Sequence, residues 1–182
     1  MISRFLKRNK SDNQTHEIIH KTTVIDHTSS SYVILRIQDE TAIKKINPYI
    51  FLLKPDTKRC FLIFNKGYEQ RKAPLTYAML SGNCWQVSIA KNSLIQIYFP
   101  IMIELTQDPS AYARLYLDQK YASSKMLVTS STIIHESGDL SLLCYTTAPT
   151  YITSNDFMAV LEIPTRNNVL VTKEQDYVQK TL

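Results

Sequence analysis

Between Ala111 and Pro164 the chain carries three apolar runs, Ala113–Leu117, Met126–Ile134 and Leu140–Tyr145, parted by polar turns. A segment Pro149-Thr150-Tyr151-Ile152-Thr153-Ser154-Asn155-Asp156 closes them. Short runs rich in Val, Ile, Leu and Tyr, bounded by Ser, Thr, Asn and Asp, are strand signals. The same pattern recurs upstream from Tyr32, and it restricts the chain to folds built from many short strands. The scarcity of glycine, 3 in 182 residues, argues against a phosphate cradle. With 44% hydrophobic residues there is material for one sizeable core.

Taken in order, the strands are expected at Tyr32–Ile37, Tyr49–Leu53, Cys60–Phe64, Leu75–Leu80, Trp85–Ala90 and Leu94–Leu105, followed by the three runs above. Pro55-Asp56-Thr57-Lys58 predicts a hairpin turn joining the second and third, because Pro presets φ and Asp bonds its own backbone. Residues 66–72 read as a basic loop. Pro100 interrupts the longest run and cannot donate to a central ladder, so the run is expected to be an edge strand or two strands meeting at a bend. Thr153 or Ser154 would cap a short helix with Asp156 in its first turn, ending at Pro164. The spacing predicts an all-β, jelly-roll-like antiparallel sandwich with one short helix. Its bounds are a polar, basic arm over 1–31, the sandwich over 32–172, and a tail over 173–182.

The charge is lopsided. Residues 1–72 hold 14 Lys or Arg against 7 Asp or Glu, whereas 73–182 hold 7 against 9, for a formal net charge of +5. Lys44, Lys45, Lys54, Lys58, Arg59, Lys66, Arg71 and Lys72 recur with Tyr49, Phe51, Phe61, Phe64 and Tyr68 interleaved. Cations set among aromatic rings suit a phosphate backbone with stacked bases. These eight are the candidate nucleic-acid-binding residues. The plainer reading of the same residues is solvated lysines and core aromatics.

Catalysis and metal binding find little support. His16-Glu17-Ile18-Ile19-His20 fits the zinc-protease pattern, but the following Lys-Thr-Thr-Val-Ile is β-branched, so no metal is expected there. Asp118, Asp139 and Asp156 are readable as turn and cap residues, and Cys144 with His135 as hairpin neighbours. Cys60, Cys84 and Cys144 are an odd set at spacings that fit neither a disulfide framework nor a metal knuckle. No enzyme activity, cofactor, secretory signal or membrane span is expected. Tyr77–Leu80 and Tyr112–Leu115 match a Tyr-x-x-apolar sorting pattern, with core tyrosines the expected explanation.

The run Leu115-Tyr116-Leu117-Asp118-Gln119-Lys120-Tyr121 resembles the strand-end signature of the 30-kilodalton superfamily of plant-virus movement proteins. The block Leu140–Tyr145 followed by Pro149–Asp156 resembles that family's second block, in matching order. The size is nearest to small members from plant rhabdoviruses. The resemblance implies a non-enzymatic protein with a jelly-roll-like core that binds single-stranded nucleic acid, RNA above all, or nucleocapsid. It further implies self-association, contact with peripheral host membrane or plasmodesmal proteins, and residence in host cytoplasm and plasmodesmata. Asp118, Tyr151 and Asp156 would be its signature residues. By its local physics Asp118, at a strand end, is expected to accept backbone N–H groups of the turn that follows. Two alternatives stand beside it: a small basic viral matrix protein, and a catalytically dead relative of the trimeric dUTPase fold, whose C-terminal strands Ser137–Ile163 resemble.

Overall fold

The computed structural model describes residues 31–106 and 111–173. The expected arm, with His16 and His20, and the tail beyond Lys173 lie outside the described residues. Strands β1 (Tyr32–Ile37), β2 (Ile43–Asn47), β3 (Ile50–Leu53), β4 (Cys60–Lys66), β5 (Glu69–Pro74), β6 (Tyr77–Met79), β7 (Trp85–Ile89) and β8 (Leu94–Leu105) lead to β9 (Ala113–Leu117). Helix α1 (Gln119–Lys125) then precedes β10 (Leu127–Val128), β11 (Thr132–Ile134), β12 (Gly138–Thr146), β13 (Thr150–Thr153), β14 (Ala159–Glu162) and β15 (Asn168–Lys173). The fold is an all-β sandwich, as the sequence predicts.

A seven-stranded sheet runs β10-β12-β8-β1-β15, with β4 also on β8 and β5 on β4; it faces a five-stranded sheet, β11-β9-β14-β3-β2. A three-stranded sheet, β13-β7-β6, adds its inner residues Val87, Ile89 and Ile152 to the same core. Alternation sets the faces: Ile95, Ile97, Phe99, Ile101 and Ile103 of β8 and Leu140, Leu142 and Cys144 of β12 are buried against Phe51, Leu53, Leu115, Ala159 and Leu161 of the opposite sheet. One pairing is not antiparallel. β1 lies parallel to β15, with Tyr32 opposite Asn168 and Ile37 opposite Lys173.

Several expectations are corrected. Tyr49–Leu53 and Cys60–Phe64 do not form a hairpin, because β3 belongs to the five-stranded sheet and β4 to the seven-stranded one. The Pro55–Lys58 segment is a crossover. Asp56 caps a short 3-10 turn there by accepting from Lys58 N at 3.0 Å, and its own N–H donates to Tyr98 O at 2.8 Å, which pins the connection to β8. The true hairpin comes one strand later. Lys66 pairs with Glu69 across a turn that Gly67 enters at φ 67°, so the expected basic loop is strand on both sides.

Pro100 lies inside one continuous 12-residue strand at the centre of its sheet. β4 pairs with β8 only through Ile97 and β1 only from Ile101, while the β12 ladder shifts register between Asp139 and Ser141. The proline therefore sits where β8 changes neighbours, and its missing N–H interrupts no ladder.

The expected helix over 154–163 is a strand instead. β14 runs between β9 and β3 with Ala159, Val160 and Leu161 buried, and an apolar run covered on both faces mimics a helical stripe. The helix follows Asp118. Met126, expected to begin a strand, is its C-cap in the left-handed region at φ 55°, with its N–H on Ala122 O and Ser123 O. The run Met126–Ile134 then splits into β10 and β11 on opposite sheets. Tyr77 is 40% and Leu80 54% exposed on and beside the edge strand β6, so the first sorting-pattern tyrosine is not a core residue.

Cys60 and Cys144 flank β8 on the core side. Burial first, then Asp56 and Cys144, pushes the Cys60 thiol up to about 12. Burial likewise pushes Cys144 up to about 12, against a lowering hydrogen bond with Thr129. Both thiols thus bind protons more tightly in the folded chain than in the unfolded one, so their stabilising share is complete below pH 9 and is lost as pH rises towards 12. Thermal melting should hold level from about pH 7 to 8.5 and fall steeply by about pH 11, with a smaller fall in Cys144→Ala; equal slopes in the two proteins would remove the thiols as the cause.

Candidate nucleic-acid interface

The outer face of the seven-stranded sheet is built by cross-strand register. One row runs Val128, Tyr145, Leu94, Ile63, Lys72 across β10, β12, β8, β4 and β5. The next runs Leu143, Gln96, Phe61, Pro74, and Tyr98 stands beside it on β8 opposite Ser141. Val128 is 55%, Leu143 46% and Tyr145 40% exposed. Phe61 meets Tyr98 edge to face at 5.8 Å, and Tyr145 is steadied by a hydrogen bond from its hydroxyl to Asn92 at 3.0 Å. An open sheet face with fixed rings is a stacking platform.

The predicted cations divide by surroundings. Lys72 lies over the Tyr98 ring at 5.6 Å and donates to its hydroxyl at 3.2 Å, on the platform itself. Lys66 and Arg71 extend from the other face of the β4–β5 hairpin with Phe64, 41% exposed, and Tyr68 fully exposed at the tip. Arg71 pairs with Glu69 at 3.2 Å in solvent, where such a pair contributes little. Lys44 and Lys45 are exposed on β2, at the edge of the opposite sheet and away from the platform. Lys54 lies over Phe157 at 4.9 Å and Lys58 over Trp85 at 4.9 Å. The eight therefore do not form one surface.

Arg59 is a tether. It stands over Tyr98 at 5.4 Å, with Nε on Asp56 at 2.8 Å, one terminal nitrogen on Asp139 at 3.2 Å and the other on Phe99 O at 2.8 Å. Two carboxylates neutralise it, and it locks the crossover to β8 and β12. Of the aromatics singled out in sequence, Phe51 is core at 1% exposure, whereas Phe61 and Phe64 reach the surface. Tyr98, Leu143 and Tyr145 were missed. Their alternation with the buried Ile97, Phe99, Leu142 and Cys144 was the available signal.

The three signature residues collect around α1. Asp118 ends β9 and accepts from Tyr121 N at 2.9 Å, its carbonyl accepts from Ala122 N at 2.8 Å, and its own N–H donates to Met158 O at 2.8 Å. It joins β9, the helix and the approach to β14. Tyr151 of β13 lies under Lys125 at 3.5 Å from the ring centroid. Burial first, then the charge of Asp156, holds the Tyr121 hydroxyl above its ordinary range. Asp139, on the opposite sheet, faces Arg59, so Asp118, Asp139 and Asp156 do not converge. His135 lies in the turn before β12, and Cys144 far along it on the core face, so the pair does not meet. No group of three potential metal ligands occurs among the described residues. No helix there is long and apolar enough to cross a membrane.

No protein-family model matches the chain, and no curated protein matches it in sequence. The capping geometry of Asp118 has a direct consequence. Asp118→Ala should lower stability by about 0.5–2 kcal/mol, and Asp118→Asn, which keeps an acceptor oxygen, should recover most of it in urea unfolding. Equal losses in both variants would mean that the charge, not the cap, is what matters.

Proposed function

We propose that the protein is a non-enzymatic viral cell-to-cell movement protein that binds single-stranded nucleic acid and carries a viral genome through plasmodesmata. The observation that carries the binding half is the outer face of the seven-stranded sheet. There Tyr145 stands exposed beside the half-buried rings of Phe61 and Tyr98, with Lys72 over the Tyr98 ring and the Lys66 and Arg71 hairpin beside them. Rings hold bases through stacking that tolerates any sequence, and exposed cations gain affinity by releasing counterions from the backbone. The movement half is supported by the resemblance of the two sequence blocks and by the contacts of Asp118 and Tyr151 with the helix α1.

Affinity for single-stranded RNA should fall linearly with salt on a log-log scale, by about 0.7 per phosphate contacted. Replacing Lys66, Arg71 and Lys72 together by Ser should weaken binding and flatten that slope by about 2. An unchanged slope would place the nucleic acid elsewhere. A fluorescent fusion in leaf epidermis should mark paired puncta at cell walls; a uniform plasma-membrane rim would favour a matrix protein instead.

A further inference from the structure

Residues Pro55–Lys58 of the β3–β4 crossover line a pocket of about 400 Å³. Ligand-sized pockets begin near 300 Å³. Trp85, at the head of β7, lines one side, and the turns carrying Asn83 and Asn155 reach its rim. The indole is held in place. Trp85 N donates to Ser154 Oγ at 2.9 Å, Ser154 N returns a bond to Trp85 O at 2.8 Å, and Tyr77 meets the ring edge to face at 5.2 Å. The exposed Lys58 ammonium lies over the ring at 4.9 Å.

The electrostatics restrict what can enter. Asp39 and Asp56 line the pocket. Asp39 accepts from Thr41 N at 2.9 Å and Thr41 Oγ1 at 2.8 Å, and Asp56 accepts from Lys58 N and Arg59 Nε. Asp39 is held by Thr41 and Asp56 is paired with Arg59, so among the lining residues the cation open to an anionic group is the exposed Lys58. The inserted part of a ligand must then be planar and uncharged, with any negative charge left outside. A base attached to its phosphate has that layout. The side-chain amides of Asn83 and Asn155 each both donate and accept, so they can meet the edge of any base without selecting one.

We infer that this pocket takes one base of a single-stranded nucleic acid, stacked on Trp85 with the adjoining phosphate at Lys58. The inference rests on the nucleic-acid-binding reading above and adds to it a second contact point at the crossover. The base takes the place over the indole that the Lys58 ammonium now holds, and the ammonium turns to the phosphate. No bond is made or broken.

Trp85 is the chain's single tryptophan, so its emission reports on this pocket alone. The test titrates the full chain with a short oligouridylate while recording tryptophan emission and, in parallel, the anisotropy of the same oligonucleotide carrying a dye. Expected are saturable quenching that tracks the anisotropy, weakening on the order of 10- to 100-fold in Trp85→Ala, and weaker binding with retained quenching in Lys58→Ser. Trp85→Phe keeps a stacking ring and should bind within a few-fold of the natural chain, which separates stacking from folding. Anisotropy binding with unchanged wild-type emission would overturn the pocket and leave the proposed function standing. No binding by either signal would overturn both. Quenching by uridine monophosphate at concentrations no higher than the oligonucleotide needs would overturn the polymer as occupant and make the site one for free nucleotide.

Discussion

Everything in the molecule hangs on β8. Its twelve residues cross the whole sandwich, with β12 on one edge and first β4 and then β1 on the other. Five of its side chains, from Ile95 to Ile103, are buried at 3% exposure or less, and they form the floor on which the opposite sheet rests. Burying such side chains is worth about 1.5–3 kcal/mol each, so this one strand is a large share of what holds the two layers together. Pro100 is tolerated at its middle because it coincides with the handover between β4 and β1. The same place is where Arg59 and Asp56 attach, to Phe99 O and Tyr98 O. A point without ladder bonds is thus closed by side chains and by the crossover.

That arrangement gives β8 two working sides. Inward, it is a plain aliphatic wall. Outward, Leu94, Gln96 and Tyr98 present a mixed surface on which Lys72 and Arg59 rest against one tyrosine. The two cations differ in chemistry despite sharing that ring. Arg59 is neutralised and immobile, and it sets the shape of the crossover; Lys72 keeps an exposed ammonium. Removing the first would leave Asp56 and Asp139 without their counter-charge, a structural loss, whereas the second can change partners freely.

Strand existence was legible in the sequence wherever polar and apolar residues alternate, as in Leu140–Tyr145 and Ala113–Leu117. Sheet membership was not. A period of two tells which side chains share a face, but not which strand lies alongside, so Pro55-Asp56-Thr57-Lys58 read as a hairpin when it is a passage between layers. Asp118 was legible as an acceptor at a strand end, since that role depends only on its neighbours. Its helix was not, because Gln119–Lys125 packs only Tyr121 and Ala122 against the core, too few to write an apolar stripe. Arg59 was misread among the cations because one of its two carboxylates lies 80 residues away. Trp85 carried no local sign of a pocket, since apart from the adjoining Asn83 turn the residues that line it, from Gln38 to Asn155, come from distant parts of the chain.

The parallel pair of β1 and β15 has a consequence for time rather than space. β1 is the first described strand to leave the ribosome and β15 the last, yet the full length of one is bonded to the other, from Tyr32 with Asn168 to Ile37 with Lys173. Eleven of the fourteen connections between successive described strands also change sheet, so outside the β2–β3, β4–β5 and β6–β7 hairpins the pairings join strands that are not consecutive in the chain. Chains of this topology fold slowly, because long loops must close before any pairing rewards them. Until β15 is made, the outer edge of β1 stays open, an apolar strand edge of the kind that recruits other chains. The pairing of β15 is what closes that edge.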